Sequence, residues 1–216
     1  PPTPTDSWPQ SGGYANHAMH HIKIDNSLEK LWSKDIGSGT DDAEILFAPP
    51  ILAGKTIYTM DAENQITATD ANTGDELWNK ELENDEDEHH VGGGLAYSNG
   101  NLYITTGWGE IICLDSNSGK EKWKKYFGLP MRTAPTIWRG RIFVITVTNK
   151  LLALNSVNGD ELWSHQSIDE TTTILGGASP AVDNGVVVAA YSSGELVALK
   201  VENGQQLWSD VLSSSG

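Results

Sequence analysis

The chain has one cysteine, Cys113, among its 216 residues. A single thiol closes no internal disulfide, so cysteine count leaves the compartment open. Long apolar runs are missing too. The longest, "IFVITV" at 142–147, is far shorter than the roughly 18–20 residues that cross a bilayer as a helix. Basic residues are scarce: 14 Lys and Arg stand against 29 Asp and Glu, a formal net charge of −15. That sign opposes both nucleic-acid phosphates and anionic lipid, whose ligands are Lys and Arg. No signal peptide opens the chain. The start "PPTPTDSWPQ" reads as a mature or trimmed N-terminus, which says nothing against export. Amphipathic helix patterns, a nucleophile elbow, a phosphate loop and a His-Glu-x-x-His pair are all lacking.

What is present is repetition. "TDANTGDELW" at 69–78 returns as "LDSNSGKEKW" at 114–123, "LNSVNGDELW" at 154–163 and "LKVENGQQLW" at 199–208. Trp32, Trp78, Trp123, Trp163 and Trp208 are spaced by 46, 45, 40 and 45 residues. Four of them follow a glycine by four positions: Gly74, Gly119, Gly159 and Gly204. Trp32 follows Leu28 instead, so the first copy is partial. Upstream of each glycine an alternating segment predicts a strand, with a small residue at one register: Ala68, Cys113, Ala153 and Ala198. Further upstream, two β-rich runs flank a Gly-containing turn, the mark of a hairpin.

Each repeat therefore predicts four strands in meander order, at about 47–82, 93–127, 133–166 and 178–212, after an N-terminal segment 1–46. Four-stranded units at a period of about 40–45 residues point to an all-β β-propeller. The glycine makes the turn between the third and fourth strands, where positive φ costs it little. The tryptophan sits on the outer strand and supplies blade-to-blade surface. Gly74, Trp78, Gly119, Trp123, Gly159, Trp163, Gly204 and Trp208 are thus read as docking residues rather than as a catalytic set.

Other clusters carry a bland and a sharp reading. "ELENDEDEHH" at 81–90 holds six acids within eight residues, but no Asp-x-Asp-x-Asp-Gly pattern for Ca²⁺, and reads as a solvated inter-blade loop. His17, His20, His21, His89 and His90 lack a Cys or a spaced fourth ligand, so no metal site is assigned. The N-terminal histidine segment is read as a strand or loop along the propeller rim. Cys113 shares the register of three alanines and reads as a buried strand residue, with no activating His beside it. Trp108 and Trp138 fall outside the docking register; each is either an exposed contact or a blade cap.

The pattern Ala-x-Asp-x-x-Thr-Gly-x-x-x-Trp, clearest at Ala68, Asp70, Thr73, Gly74 and Trp78, resembles the repeat of quinoprotein-type, PQQ-like propellers. It weakens along the chain through Asp115 and Asn155 to Lys200. Quinone-dependent dehydrogenases carry it, and so do the BamB lipoproteins of the outer-membrane β-barrel assembly machine. Nearly the whole chain resembles BamB in its alphaproteobacterial form, through "WPQSGGYANHAMHH" at 8–21, "VGGGLAYSNGNLYITTGWGEIICLD" at 91–115, "APTIWRGRIFVITVTNKLLALN" at 134–155 and "YSSGELVALKVENGQQLWSD" at 191–210.

That resemblance implies an eight-bladed ring, of which about four blades are present here. It implies a partial ring, the N-terminal half, with 28–37 as a ring-closing strand; a small closed ring of four is the alternative. It implies a non-enzymatic periplasmic scaffold, held to the outer membrane by a lipidated Cys outside this chain. The implied partners are the insertase BamA and unfolded outer-membrane proteins, with no cofactor and no nucleic acid. In the family a Leu-x-Leu-Arg loop contacts BamA, and Leu129, Met131 and Arg132 in "FGLPMRTAP" match it, with Met for the second Leu. Such a loop suits a protein hot spot, where Arg is favoured; the bland reading is a loop packed on its own neighbour blade. The family's second contact region, acidic residues before Thr-Pro, is replaced by "LGGASP" at 175–180. A generic propeller adaptor is a further reading. A quinone-dependent dehydrogenase fragment is disfavoured, because such enzymes show a vicinal Cys pair and need basic residues and Ca²⁺ around the cofactor.

Overall fold

The computed structural model describes residues 1–40, 46, 48–83, 92–131, 133–167 and 177–212. The sheet-forming residues make sixteen strands and, among the described residues, no helix. Blade 1 contains β1 (Ile51–Ala53), β2 (Thr56–Met60), β3 (Gln65–Asp70) and β4 (Glu76–Glu81). Blade 2 contains β5 (Gly93–Ser98), β6 (Asn101–Thr106), β7 (Glu110–Asp115) and β8 (Glu121–Tyr126). Blade 3 contains β9 (Thr136–Trp138), β10 (Arg141–Ile145), β11 (Lys150–Asn155) and β12 (Glu161–Gln166). Blade 4 contains β13 (Ala181–Asp183), β14 (Val186–Ala190), β15 (Glu195–Lys200) and β16 (Gln206–Val211). Each blade is an antiparallel meander in chain order, as expected of a partial β-propeller.

The blades repeat in detail. The ladder between the third and fourth strands pairs Ala68 with Trp78, Cys113 with Trp123, Ala153 with Trp163 and Ala198 with Trp208. A register shift follows directly after the small residue in every blade. A bulge of this kind bends the outer strand and sharpens its twist. The recurring small residue is therefore the cross-strand partner of the indole, where a larger side chain would crowd it.

The core lies between blades. One cluster joins Tyr58, Ile66 and Ala68 of blade 1 to Leu102, Ile104 and Leu114 of blade 2. A second joins Tyr103, Ile111 and Cys113 of blade 2 to Ile142, Val144 and Leu152 of blade 3. A third joins Phe143, Leu151 and Ala153 of blade 3 to Val187, Val197 and Leu199 of blade 4. Period-2 alternation thus sends odd and even residues of an inner blade to opposite neighbours, and both faces are apolar. Side-chain bonds tie the blades near their first strands: Thr105 Oγ1 donates to Thr133 O (2.6 Å), Thr136 Oγ1 to Pro180 O (2.5 Å) and Ser179 Oγ to Ala134 O (2.8 Å).

The N-terminal segment does not run along the rim, as its sequence led us to expect. Residues 8–15 cross the first strands of all four blades. Leu52 N donates to Trp8 O, Tyr97 N to Pro9 O and Val182 N to Ala15 O, at 2.9, 2.7 and 2.6 Å. At blade 3 a side chain replaces the backbone: Ile137 N donates to Gln10 Oε1 (2.9 Å), and Gln10 Nε2 donates to Ile137 O (3.2 Å). First strands carry an open edge of N–H and C=O groups, and this strap satisfies one N–H in each blade. Residues 28–37 form no ladder with the described residues.

Candidate functional site

Two surfaces follow from this architecture: the docks between blades, and one loop that joins blades 2 and 3.

Each dock sets a tryptophan of one unit on the glycine turn of the next. Trp78 lies on Gly119, Trp123 on Gly159 and Trp163 on Gly204; a Cβ added to any of these glycines would stand 2.7 Å from the ring. Those glycines hold φ of 68–74°, so both the conformation and the space require glycine. The indole N–H completes the dock. Trp78 Nε1 donates to Ser116 O (3.0 Å) and Trp163 Nε1 to Val201 O (2.9 Å), the carbonyl three residues before the glycine. Trp32 makes the same dock on Gly74, with Nε1 donating to Ala71 O at 3.0 Å, although it lies outside any strand. The pairing of Trp with the following glycine was not read from sequence; only their recurrence was. Among the described residues no glycine turn meets Trp208, which is 47% exposed.

In blades 1 to 3 the turn that presents the glycine is capped by the Asx residue four positions before it. Asp70 Oδ1 accepts from Asn72 N (2.8 Å) and Thr73 N (3.1 Å), and Asp115 Oδ1 accepts from Asn117 N and Ser118 N. The Asn72 and Thr73 amides hold the Asp70 carboxyl below its ordinary range, and the Lys122 ammonium, followed by Ser118, does so for Asp115. Asn155 keeps one such bond, to Val157 N, and Lys200 bonds Gln205 instead. The weakening motif is thus a weakening turn cap.

The inter-blade loop is clamped from both sides. Phe127 N donates to Gly109 O (2.8 Å) and Met131 N to Thr106 O (3.1 Å), both on the β6–β7 turn of blade 2. Val147 N, on the β10–β11 turn of blade 3, donates to Pro130 O at 2.9 Å. Met131 is fully buried, at 0% exposure, and bridges to Thr146. Its side chain is therefore an anchor and offers no surface to a partner, contrary to the sequence reading. Leu129 is half-buried over Gly109, and Arg132 lies outside the described residues. Tyr126, which the sequence reading missed, is exposed at the end of β8, three residues before Leu129 in the chain. Its signal was an aromatic where the other outer strands have Glu81, Gln166 and Val211.

The remaining candidates fall in place around these. Trp108 is buried, its Nε1 donating to Glu110 Oε2 (2.8 Å), whose other oxygen pairs with Lys124 (3.2 Å). It is a blade cap. Trp138 sits at the β9–β10 turn with the Arg139 guanidinium 4.6 Å from its ring centre. Cys113 is buried, and burial pushes its thiol up to about 11, the opposite of what a nucleophile needs. His17 is lowered by burial, while His20 bonds Thr5 Oγ1 at 3.2 Å, so the two rings serve separate surroundings. His89 and His90, most of the acidic stretch 81–90, and the first two residues of "LGGASP" lie outside the described residues.

Comparison with known proteins fits this geometry. The chain is 32% identical over 151 residues to "Uncharacterized protein RP232" of Rickettsia prowazekii, covering 69% of this chain and 36% of that protein. It is 25% identical over 180 residues to the outer membrane protein assembly factor BamB of Yersinia pestis, covering 80% and 46%. It therefore spans less than half the length of these relatives. Among solved structures, BamB from Moraxella catarrhalis superposes with a TM-score of 0.66 at 20% identity, over 85% of this chain and 54% of that one. The quinohemoprotein alcohol dehydrogenase of Comamonas testosteroni superposes with 0.77 at 18% identity, over 97% and 41%. At such identities the superpositions speak to the fold they share. The family model described as "Outer membrane protein assembly factor BamB" matches residues 12–80 and 62–216, so this PQQ-like propeller chain belongs to the BamB family.

Proposed function

We propose that this chain acts without catalysis, as a scaffold of the outer-membrane β-barrel assembly machinery. It works on the periplasmic side of the outer membrane, where a lipid anchor outside this chain would hold it. It binds the periplasmic domains of the insertase BamA and helps deliver unfolded barrel proteins. The observation that carries this reading is the clamped loop 127–131. Backbone bonds to two blades fix it, Met131 anchors it from inside, Leu129 is half-buried, and exposed Tyr126 precedes it by three residues. A preorganised loop loses little conformational freedom on binding, and an aromatic, an aliphatic and an arginine make a hot-spot composition. The docking surface proposed is Tyr126, Leu129 and Arg132, with Met131 as their support.

The dehydrogenase reading is supported by fold likeness alone. Against it, the strap of residues 8–15 occupies the first-strand edges of all four blades, the place a centrally bound cofactor would compete for.

Binding of the chain to purified BamA periplasmic domains tests the proposal by calorimetry. Arg132→Glu and Tyr126→Ala should each weaken binding by roughly tenfold or more, as hot-spot losses of 1.4 kcal/mol or above do. Unchanged affinity in both variants would remove the loop from the interface. A folded chain with no affinity at all would remove BamA as the partner.

A further inference from the structure

A cavity of about 290 Å³ lies where the strap, and the turn that follows it, meet the segments leading into the first strands. Gly12 and His17 line one side; Pro49, Gly93, Thr133 and Gly177, one from each blade, line the other. Two buried polar atoms of this lining, His17 Nε2 and Thr133 Oγ1, have no hydrogen-bond partner among the described residues. Thr133 is more than nine-tenths buried, at 8% exposure. Nearby hydroxyls behave differently. Those of Thr105, Thr136 and Ser179 each donate to a backbone carbonyl of another blade. Thr133 accepts one of these bonds at its carbonyl and leaves its own hydroxyl unmatched. A buried polar group without a partner costs stability, so two in one cavity point to a ligand.

The backbone around the two atoms is held open. His17 has φ of 52°, a left-handed conformation that few non-glycine residues adopt. Its ring lies against Gly12, where an added Cβ would stand 3.0 Å from His17 Cβ and Cγ. Gly177 faces Thr133 in the same way, with an added Cβ 3.0 Å from Thr133 Cγ2. Two lining glycines thus make room for the two side chains, and the strained residue is itself one of the unmatched pair. Such coincidences of strain mark functional sites.

The lining narrows the class of ligand. His17 is its only titratable side chain, and burial lowers the imidazole pKa, so the ring is neutral at pH 7. The other lining residues are Ser, Thr, Gly, Ala and Pro. An anion would be buried there without Lys or Arg, in a chain of net charge −15. A metal ion would meet one imidazole and no carboxylate. An apolar ligand would leave both polar atoms unmatched. A single water needs only roughly 10–15 Å³ of such space. An amide fits, because it offers one N–H and one C=O, and an imidazole nitrogen and a hydroxyl can each donate or accept.

We infer that this cavity binds an uncharged amide of the peptide type, whose N–H and C=O are shared between His17 Nε2 and Thr133 Oγ1. The site is separate from the 127–131 loop and does not depend on what that loop binds.

The probe is N-acetylglycinamide, titrated into the full chain at pH 8 and read by NMR at the histidine rings. The His17 signals should shift saturably, while those of His165 stay in place. Acetate, of similar size but charged, should bind at least about tenfold more weakly, since nothing in the lining compensates its charge. Thr133→Val keeps the side-chain shape and removes the hydroxyl. It should weaken the amide by roughly three- to tenfold, as one lost hydrogen bond does, while its urea midpoint equals or exceeds that of wild type. Acetamide identifies the source: tighter binding of the longer probe assigns a peptide backbone, and equal binding a free or side-chain amide. No saturable change at His17 would mean that the two atoms meet water only and would overturn the proposal. So would acetate binding as tightly as the amide, or unchanged amide affinity in Thr133→Val. The His17 response and the acetate comparison use the wild-type chain, so they decide even if the variant fails to fold.

Discussion

At the scale of single residues, the small side chain beneath each indole is the clearest constraint. Cys113 pairs with Trp123 across the ladder, fills the register of three alanines, and is buried with its thiol pushed up to about 11. Cys113→Ala should therefore fold with little loss, whereas Cys113→Leu should cost about 1–3 kcal/mol as an overpacked core. Urea midpoints of the two variants check this. The native thiol should also resist a thiol reagent at pH 8 and react at once in denaturant. Gly119 is the matching position on the other side of a dock. Gly119→Ala combines a positive φ with a ring 2.7 Å from the new Cβ, so it should cost more than the roughly 1 kcal/mol of strain alone. The sequence displayed these glycines and tryptophans plainly. Their pairing was hidden, because the residue that Trp78 meets is 41 positions on, at Gly119, and no local pattern encodes which turn a side chain will reach.

At the scale of elements, the turn caps and the strap decide order. The Asp70 carboxyl is held low by the Asn72 and Thr73 amides. A carboxylate with a depressed folded pKa contributes stability that is complete above its unfolded value and is lost as pH falls through the folded one. The stability gap between wild type and Asp70→Ala should thus be constant from pH 7 down to about 5 and shrink below about 4, the range of free carboxylates. Urea unfolding at pH 7 and pH 3 measures the gap. His17 works in a less acidic window. Burial lowers its folded pKa, so its contribution is complete above about 6.5 and is lost as pH falls towards the folded value. In the strap, Gln10 mimics a strand with one side chain, both of its polar atoms bonded to Ile137. Gln10→Ala leaves a buried N–H and C=O unmatched, and should cost about 1–3 kcal/mol in urea unfolding. The meander was legible in alternation and turn residues. The strap was not, since "WPQSGGYA" at 8–15 has neither strand alternation nor a partner nearby in sequence.

At the scale of the molecule, the blades form a one-dimensional stack in which each buries its faces only against its neighbours. Such a stack does not have one stability. Blades 2 and 3 are held on both sides, while blade 4 is held by blade 3 on one face and by the strap at Val182. Trp163→Ala removes the indole that docks on Gly204 and the bond to Val201 O. The ring is half-buried, so the loss should fall below the roughly 3–5 kcal/mol of a fully buried Trp→Ala. Its distribution is the sharper expectation. Amide exchange in β13–β16 should accelerate, because blade 4 then opens alone, while β1–β8 keep their wild-type protection. Trp123→Ala lies one dock earlier and should release blades 3 and 4 together. Equal acceleration across all four blades in either variant would mean that the strap couples the stack into one cooperative unit, and that the blades do not open in turn.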